Sequence, residues 1–203
     1  MTKVGLFGGS FDPVHIGHLI LAEQAIEQLD LERVLFVPGR RPPHKLDKQL
    51  APAHHRLRMV ELAIEGNPAF ECSDIELRRE GPSYSIHTVE QLRAEHSDWD
   101  IHFLIGADTL PELPTWFKVA ELAALCKFAV FSRPGQSLGD VAPLRGVLGD
   151  DQIAAIEGRC VDSLLIDVAS TDVRRRVREG QSIRYLVPEP VRGYILQQGL
   201  YQR

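Results

Sequence analysis

Little in this chain points to covalent staples or to a membrane. It holds only three cysteines, Cys72, Cys126 and Cys160. They are an odd set, far apart and without Cys-x-x-Cys spacing, which argues against a disulfide framework and a structural zinc site. Such thiols suit a reducing, cytoplasmic setting. No stretch approaches the roughly 18–20 apolar residues of a membrane span. The opening Met1-Thr2-Lys3-Val4-Gly5-Leu6-Phe7-Gly8-Gly9 lacks the apolar core and cleavage site of a secretory signal, so none is expected. Positive charge is not in excess either. With 23 Lys and Arg against 28 Asp and Glu, the net charge of −5 makes a poor non-specific partner for a nucleic acid polymer. The sequence has no internal repeat, low-complexity tract or linker.

What is present is an ordinary globular composition, 44% hydrophobic and 25% charged over 203 residues. A chain of this size buries about 70% of the surface its unfolded form exposes. It reads as one domain spanning residues 1–203. Short apolar runs predict strands at 3–8, 33–38, 70–77, 101–105, 127–131 and 164–168. Helical spacing predicts helices from about His18 to Leu29, and over 53–65, 85–95, 119–125, 170–178 and 188–198, with Ser170 or Thr171 capping the second-last. Strand and helix alternate, which implies an α/β fold: a Rossmann-like, doubly wound parallel sheet with helices on both faces. In such sheets the ligand crevice lies beyond the carboxyl ends of the strands. Residues 136–159, with scattered glycines, read as a surface excursion.

Two basic islands stand out on the acidic chain. Between Gly39 and Arg58 there are six cations (Arg40, Arg41, Lys45, Lys48, Arg56, Arg58) and one acid, Asp47. A second island is Arg174, Arg175, Arg176 and Arg178. Such runs are usually solvated faces, yet they also suit a small anionic ligand. The more specific signal is Gly8-Gly9-Ser10-Phe11-Asp12-Pro13-Val14-His15-Ile16-Gly17-His18, between a buried strand and a helix. It is neither a Gly-x-Gly-x-x-Gly fingerprint nor a P-loop. Its glycines let backbone N–H groups approach a ligand, and the helix start offers donors and a positive dipole end. Gly17 is read as leaving space for a bulky group. His15 and His18, three apart, project from one side and would hydrogen-bond a phosphate gaining charge. No third ligand stands nearby for zinc.

This segment resembles the His-x-Gly-His nucleotidyltransferase superfamily, and most closely the nicotinate-nucleotide adenylyltransferase family. Pro43-His44-Lys45, the segment Gly81–Thr88, Gly106-Ala107-Asp108, Thr115-Trp116, Ser132–Gly135 and Ala169–Arg174 match in the family's order. Departures are Ser85 where Thr is frequent, Ala169 where Ser is frequent, and Phe117 where Tyr is common.

The resemblance implies transfer of an adenylyl group from ATP to nicotinate mononucleotide, with Mg²⁺ accompanying ATP. It assigns His15 and His18 to the transferring and leaving phosphates. Gly8, Gly9, Ser10, Phe11, Gly106 and Asp108 fall on the ATP side. Ser170, Thr171 and Arg174 fall to the β- and γ-phosphates, although alone they read as an N-cap and a solvated face. Lys45, Ser85, Trp116, Phe117 and Arg133 fall to the mononucleotide, with Trp116 stacking on the pyridine ring. No general base is needed, because the attacking phosphate is already ionised. Rival readings are a sister transferase acting on nicotinamide mononucleotide or phosphopantetheine, a cytidylyltransferase, and a non-catalytic nucleotide-binding module. A class I aminoacyl-tRNA synthetase would need a tRNA-binding domain and a Lys-Met-Ser-Lys-Ser-like loop, which the chain lacks. The sequence leaves open whether the chain forms a homo-oligomer.

Overall fold

The computed structural model describes residues 1–40, 50–132, 141–164 and 166–202. Its frame is a six-stranded parallel sheet in the order β3-β2-β1-β4-β5-β6. The strands are β1 (Thr2–Gly9), β2 (Arg33–Pro38), β3 (Phe70–Cys72), β4 (Trp99–Gly106), β5 (Lys127–Ser132) and β6 (Cys160–Asp162). The helices are α1 (Ile16–Leu29), α2 (Ala53–Ile64), α3 (Ser85–Glu95), α4 (Val119–Leu125), α5 (Asp150–Glu157), α6 (Ser170–Arg178) and α7 (Glu189–Gln197).

Near-continuous apolar strands arise because both faces are covered. In β2, Leu35 and Val37 pack toward α3 and α4, whereas Val34 and Phe36 pack toward α1, α2 and α7. The period of two thus feeds two cores from one strand. Strand order reverses between β1 and β4, where the chain winds outward in both directions, and a crevice opens there beyond the strand ends.

Three expectations change. The strand expected over 70–77 ends at Cys72, and turns follow it. Among the described residues the last strand is Cys160–Asp162 rather than the expected 164–168, of which 165 lies outside the described residues; Val161 is fully buried while Leu164 is 62% exposed. Of the expected surface excursion, 136–140 lie outside the described residues; in the rest, α5 and a 3-10 helix at Ala142–Gly146 put Leu144, Leu148, Ile153 and Ile156 into the core. A second 3-10 helix, Ala107–Thr115, was not expected; Pro111 and Pro114 interrupt any α-helical periodicity there. No helix among the described residues is long and apolar enough to cross a membrane.

Candidate active site

The site begins where β1 ends. Gly9 is followed by a turn in which Phe11 adopts φ 45°, and the Phe11 ring folds back under the strand. A Cβ on Gly9 would lie 2.9 Å from that ring, so only glycine allows the turn. Phe11 is 2% exposed and packs at 5.1 to 5.8 Å from the rings of His18, Phe7 and Phe36. Its side chain is therefore a wedge beneath the site, and only its backbone is left to face a nucleotide.

α1 starts immediately afterward. The His15 and His18 rings lie 3.7 Å apart, tilted by 30°. The His15 N–H donates to His18 Nδ1 at 3.1 Å, so the neutral His18 ring carries its proton on Nε2. His15 is buried, and its Nδ1 has no hydrogen-bond partner among the described residues. Burial lowers its pKa from 6.5 to about 4, so the free protein holds it neutral. Gly17 does not leave room for a ligand group as expected. Its open side is occupied by the His15 ring, which a Cβ at Gly17 would meet at 3.1 Å. The first turn of α1 is also less open than expected: Ile16 N–H donates to Leu186 O and His18 N–H to His15 O.

α6 is docked against this turn. Ser170 Oγ donates to Pro13 O at 2.8 Å, and Arg174 Nη1 donates to Asp12 O at 2.7 Å. The helix cap is Ala169 rather than Ser170 or Thr171, and no side chain caps the helix. Asp172 and Val173 N–H both return to Ala169 O, so Thr171 sits exposed on an uncapped helix start one turn before Arg174. Arg176 is directed elsewhere, with Nε donating to Ser182 O at 2.8 Å.

On the other side of the switch point is a cavity of about 220 Å³. It joins Gly8, Gly9 and Ser10 to Gly106, Ser85 and Trp116, with Phe117 at its rim. Ser85 opens α3, whose cap, Tyr84, contributes no side-chain bond. The Trp116 ring meets Phe103 edge-on at 5.7 Å, and its buried Nε1 has no partner among the described residues. Phe117 is 45% exposed, with its ring 4.7 Å from that of Tyr84. Asp108 is exposed just beyond Gly106, at the start of the 3-10 helix. Lys45 and Arg133 lie outside the described residues.

Sequence reasoning missed the polar assembly beneath the turn. Asp12 is 2% exposed; its Oδ1 accepts from Tyr201 Oη at 2.7 Å and from Ala51 N–H at 3.2 Å. Its other oxygen is 3.7 Å from Arg174 Nη1. Burial and the Asp12 charge push the Tyr201 hydroxyl pKa up, so it stays protonated as a donor. Arg56, counted in a basic island, is 1% exposed. One signal was available: Arg56 shares a helix face with Met59, Val60 and Ile64, all buried. Glu76 also lines the cavity, accepting from Thr88 Oγ1 at 2.8 Å; burial raises its pKa.

A family model described as cytidylyltransferase-like matches residues 6–176. The "probable nicotinate-nucleotide adenylyltransferase" of Thermomicrobium roseum is 44% identical over 202 residues, covering 100% of this chain and 92% of that protein. The protein of the same name from Geobacillus thermodenitrificans is 45% identical, covering 99% of this chain and 87% of its own length. Among solved structures, the Plasmodium falciparum nicotinic acid mononucleotide adenylyltransferase complexed with NaAD superposes with a TM-score of 0.77. That pair is 17% identical, with 99% of this chain and 98% of the other covered, and establishes the fold. The chain belongs to the cytidylyltransferase-like family and, within it, to the nicotinate-nucleotide adenylyltransferases.

Proposed function

We propose that this crevice transfers the adenylyl group of ATP to nicotinate mononucleotide, forming nicotinate adenine dinucleotide and pyrophosphate. The observation that carries the reading is the docking of α6 on the His-x-Gly-His turn through Ser170 and Arg174. It sets an uncapped helix start and a cation against the Asp12-Pro13 turn that leads into the two histidines, while Gly8, Gly9 and Ser10, just before that turn, line the cavity that runs to Ser85 and Trp116. Triphosphate and pyridine ends of the two substrates thus have separate seats around one reaction centre.

In the reaction, a phosphate oxygen of the mononucleotide attacks the α-phosphorus of ATP. The bond to the β-phosphate breaks, and pyrophosphate leaves with the electron pair. The attacking group is largely ionised at neutral pH, since a phosphomonoester's second pKa is about 6. No base is required, and the protein contributes alignment and charge stabilisation. His18, with its proton on Nε2, donates to the phosphate oxygens as charge shifts toward the leaving group. His15, neutral in the free protein, gains basicity as the polyanion arrives. Arg174 and the α6 N-terminus hold the β- and γ-phosphates, and Gly8, Gly9 and Ser10 approach the nucleotide through their backbone.

The mononucleotide's carboxylate is received by N–H groups at the α3 start around Ser85 and at Phe117, since the Trp116 N–H already donates to Leu113 O at 3.0 Å. No Lys or Arg lies within the Tyr84–Ile86 or Thr115–Phe117 segments. Arg40 meets Ser83 through its backbone, its N–H donating to Ser83 Oγ at 3.1 Å, while its Nη1 donates to Arg79 O at 2.8 Å. Recognition by N–H dipoles favours a carboxylate, which accepts on both oxygens, over an amide, which presents a donor on one side. The penalty for the mismatch is about 1–3 kcal/mol, or roughly ten- to a hundredfold in kcat/KM.

Mg²⁺ enters with the triphosphate. Among the described residues no group of three or more His, Cys, Asp or Glu side chains is placed to hold an ion. Asp12, the acid beneath the turn, is already engaged by Tyr201 and Ala51. Phosphate oxygens and water would therefore be the ion's ligands, and its chemistry would be charge neutralisation.

The test is pyrophosphate release with ATP and each of nicotinate mononucleotide, nicotinamide mononucleotide and phosphopantetheine. Turnover should be fastest with the first. Preference for phosphopantetheine, or equal use of acid and amide, would overturn the assignment of the pocket.

A further inference from the structure

Among the described residues Arg56 is one of the largest fully buried side chains, and it has no carboxylate within ion-pair distance. A guanidinium does not shed its charge in a protein. Burying one without a close counter-ion is expensive unless every donor is used. Burial lowers the Arg56 pKa, while Asp12 and Tyr201 oppose that shift from a distance.

The donors go to backbone carbonyls, and the identity of those carbonyls is informative. Nη1 donates to Ser10 O and to Gly39 O, each at 2.8 Å. Nε donates to Ala51 O at 2.9 Å, and Nη2 reaches Arg40 O at 3.4 Å. Ser10 follows β1 in the nucleotide turn. Gly39 and Arg40 follow β2, and Gly39 also lines the cavity. Ala51 leads into α2 and donates its N–H to Asp12. One planar fork therefore fixes three separate stretches of backbone, two of which, at Ser10 and Gly39, line the cavity. Each is a loop exit with little regular structure of its own to hold it.

We propose that Arg56 is a positioning residue for adenylyl transfer: it clamps the exits of β1 and β2 and the lead-in to α2, and so sets where the Gly9-Ser10 backbone meets the nucleotide. The proposal rests on the reading of the crevice as an adenylyl-transfer site. The charge alone is not enough for this role, because the acceptors point from three directions and only a fork reaches them together.

The test uses the full chain with Arg56→Lys, which keeps charge and stem but loses the fork, and Arg56→Gln, which keeps two donors. Arg58→Ala serves as control; Arg58 is an exposed neighbour paired with Glu61 on the same helix. Steady-state kinetics are read well below the melting temperature, with the folded fraction measured on the same samples. Displacement of reacting groups by about 1 Å costs up to roughly a hundredfold. Arg56→Lys is expected to lower kcat ten- to a hundredfold while changing KM for the mononucleotide less than threefold. Amide hydrogen exchange should rise selectively in peptides covering 8–14, 38–40 and 50–53. Arg58→Ala should match wild type.

Wild-type kcat in a folded Arg56→Lys protein would overturn the clamp. So would exchange that rises uniformly over the sheet, or failure of both Arg56 variants to fold, since either would make Arg56 a residue of global stability. An inactive wild type would instead count against the adenylyl-transfer reading, and the exchange experiment would still decide whether the clamp exists.

Discussion

His15 makes a prediction about the free protein that needs no substrate. The residue is 8% exposed, and burial lowers its pKa from 6.5 to about 4. The unfolded chain takes up this proton near pH 6.5, whereas the folded chain resists it until about pH 4. Between those values the unfolded state binds more protons, so folding stability falls as pH falls. The contribution is fully present above about pH 6.5 and fully lost below about pH 4. A shift of this size corresponds to about 3 kcal/mol in all, of which about 2 kcal/mol is lost by about pH 5. Other groups titrate over the same range, including His102, whose pKa burial also lowers. The comparison is therefore with His15→Asn, which keeps the background and removes the titrating ring. Urea unfolding of both proteins at about pH 7.5 and about pH 5 should show wild type losing about 2 kcal/mol more than the variant. Adding ATP should flatten the difference, because a polyanion stabilises the charged ring. Parallel losses in the two proteins would refute the buried, neutral His15.

Gly17→Ala places a methyl 3.1 Å from the buried His15 ring, so kcat should fall at least about tenfold while the melting temperature changes little. The helical preference of Ala over Gly, about 1 kcal/mol, offsets part of the crowding. Arg174→Ala should raise KM for ATP far more than KM for the mononucleotide, whereas Arg176→Ala, whose side chain serves Ser182, should do little. Similar effects from both would mean a diffuse basic face. Trp116→Ala should weaken the acid and amide mononucleotides together, read as KM, and leave most of their ratio intact. Collapse of that ratio would place carboxylate recognition on the indole rather than on N–H groups.

The residues that local pattern governs were legible before the fold was known. β1 and β2 read from four-residue apolar runs, the bounds of α3 and α6 from their helical patterns although the caps expected there do not form, and the crevice from Gly-Gly followed by His-x-Gly-His. β6 was misplaced because only three residues pair and only Val161 is fully buried, while a longer apolar run follows it. Long-range partners were the least legible. Tyr201 and Asp12 are 189 positions apart, and nothing local marks a tyrosine near the C-terminus as the donor to an acid in the nucleotide turn. Gly17 shows the same limit: its position is explained by the ring of His15 folding over it, not by the ligand. Arg56 looked like one cation among six because charge count carries no direction, and only its helix-face neighbours betray its burial.

If the His-x-Gly-His turn stabilises the charge that develops on the departing pyrophosphate, its effect lies in the chemical step. The most direct measurement is single-turnover formation of the dinucleotide by wild type and His18→Ala, with ATP binding measured in parallel by calorimetry. Loss of one transition-state donor should slow the chemical step by about 10²–10³. ATP affinity should change by less than about tenfold, because the donor acts on charge that develops only in the transition state. A folded His18→Ala protein that forms dinucleotide at the wild-type rate would mean that His18 does not stabilise the transition state.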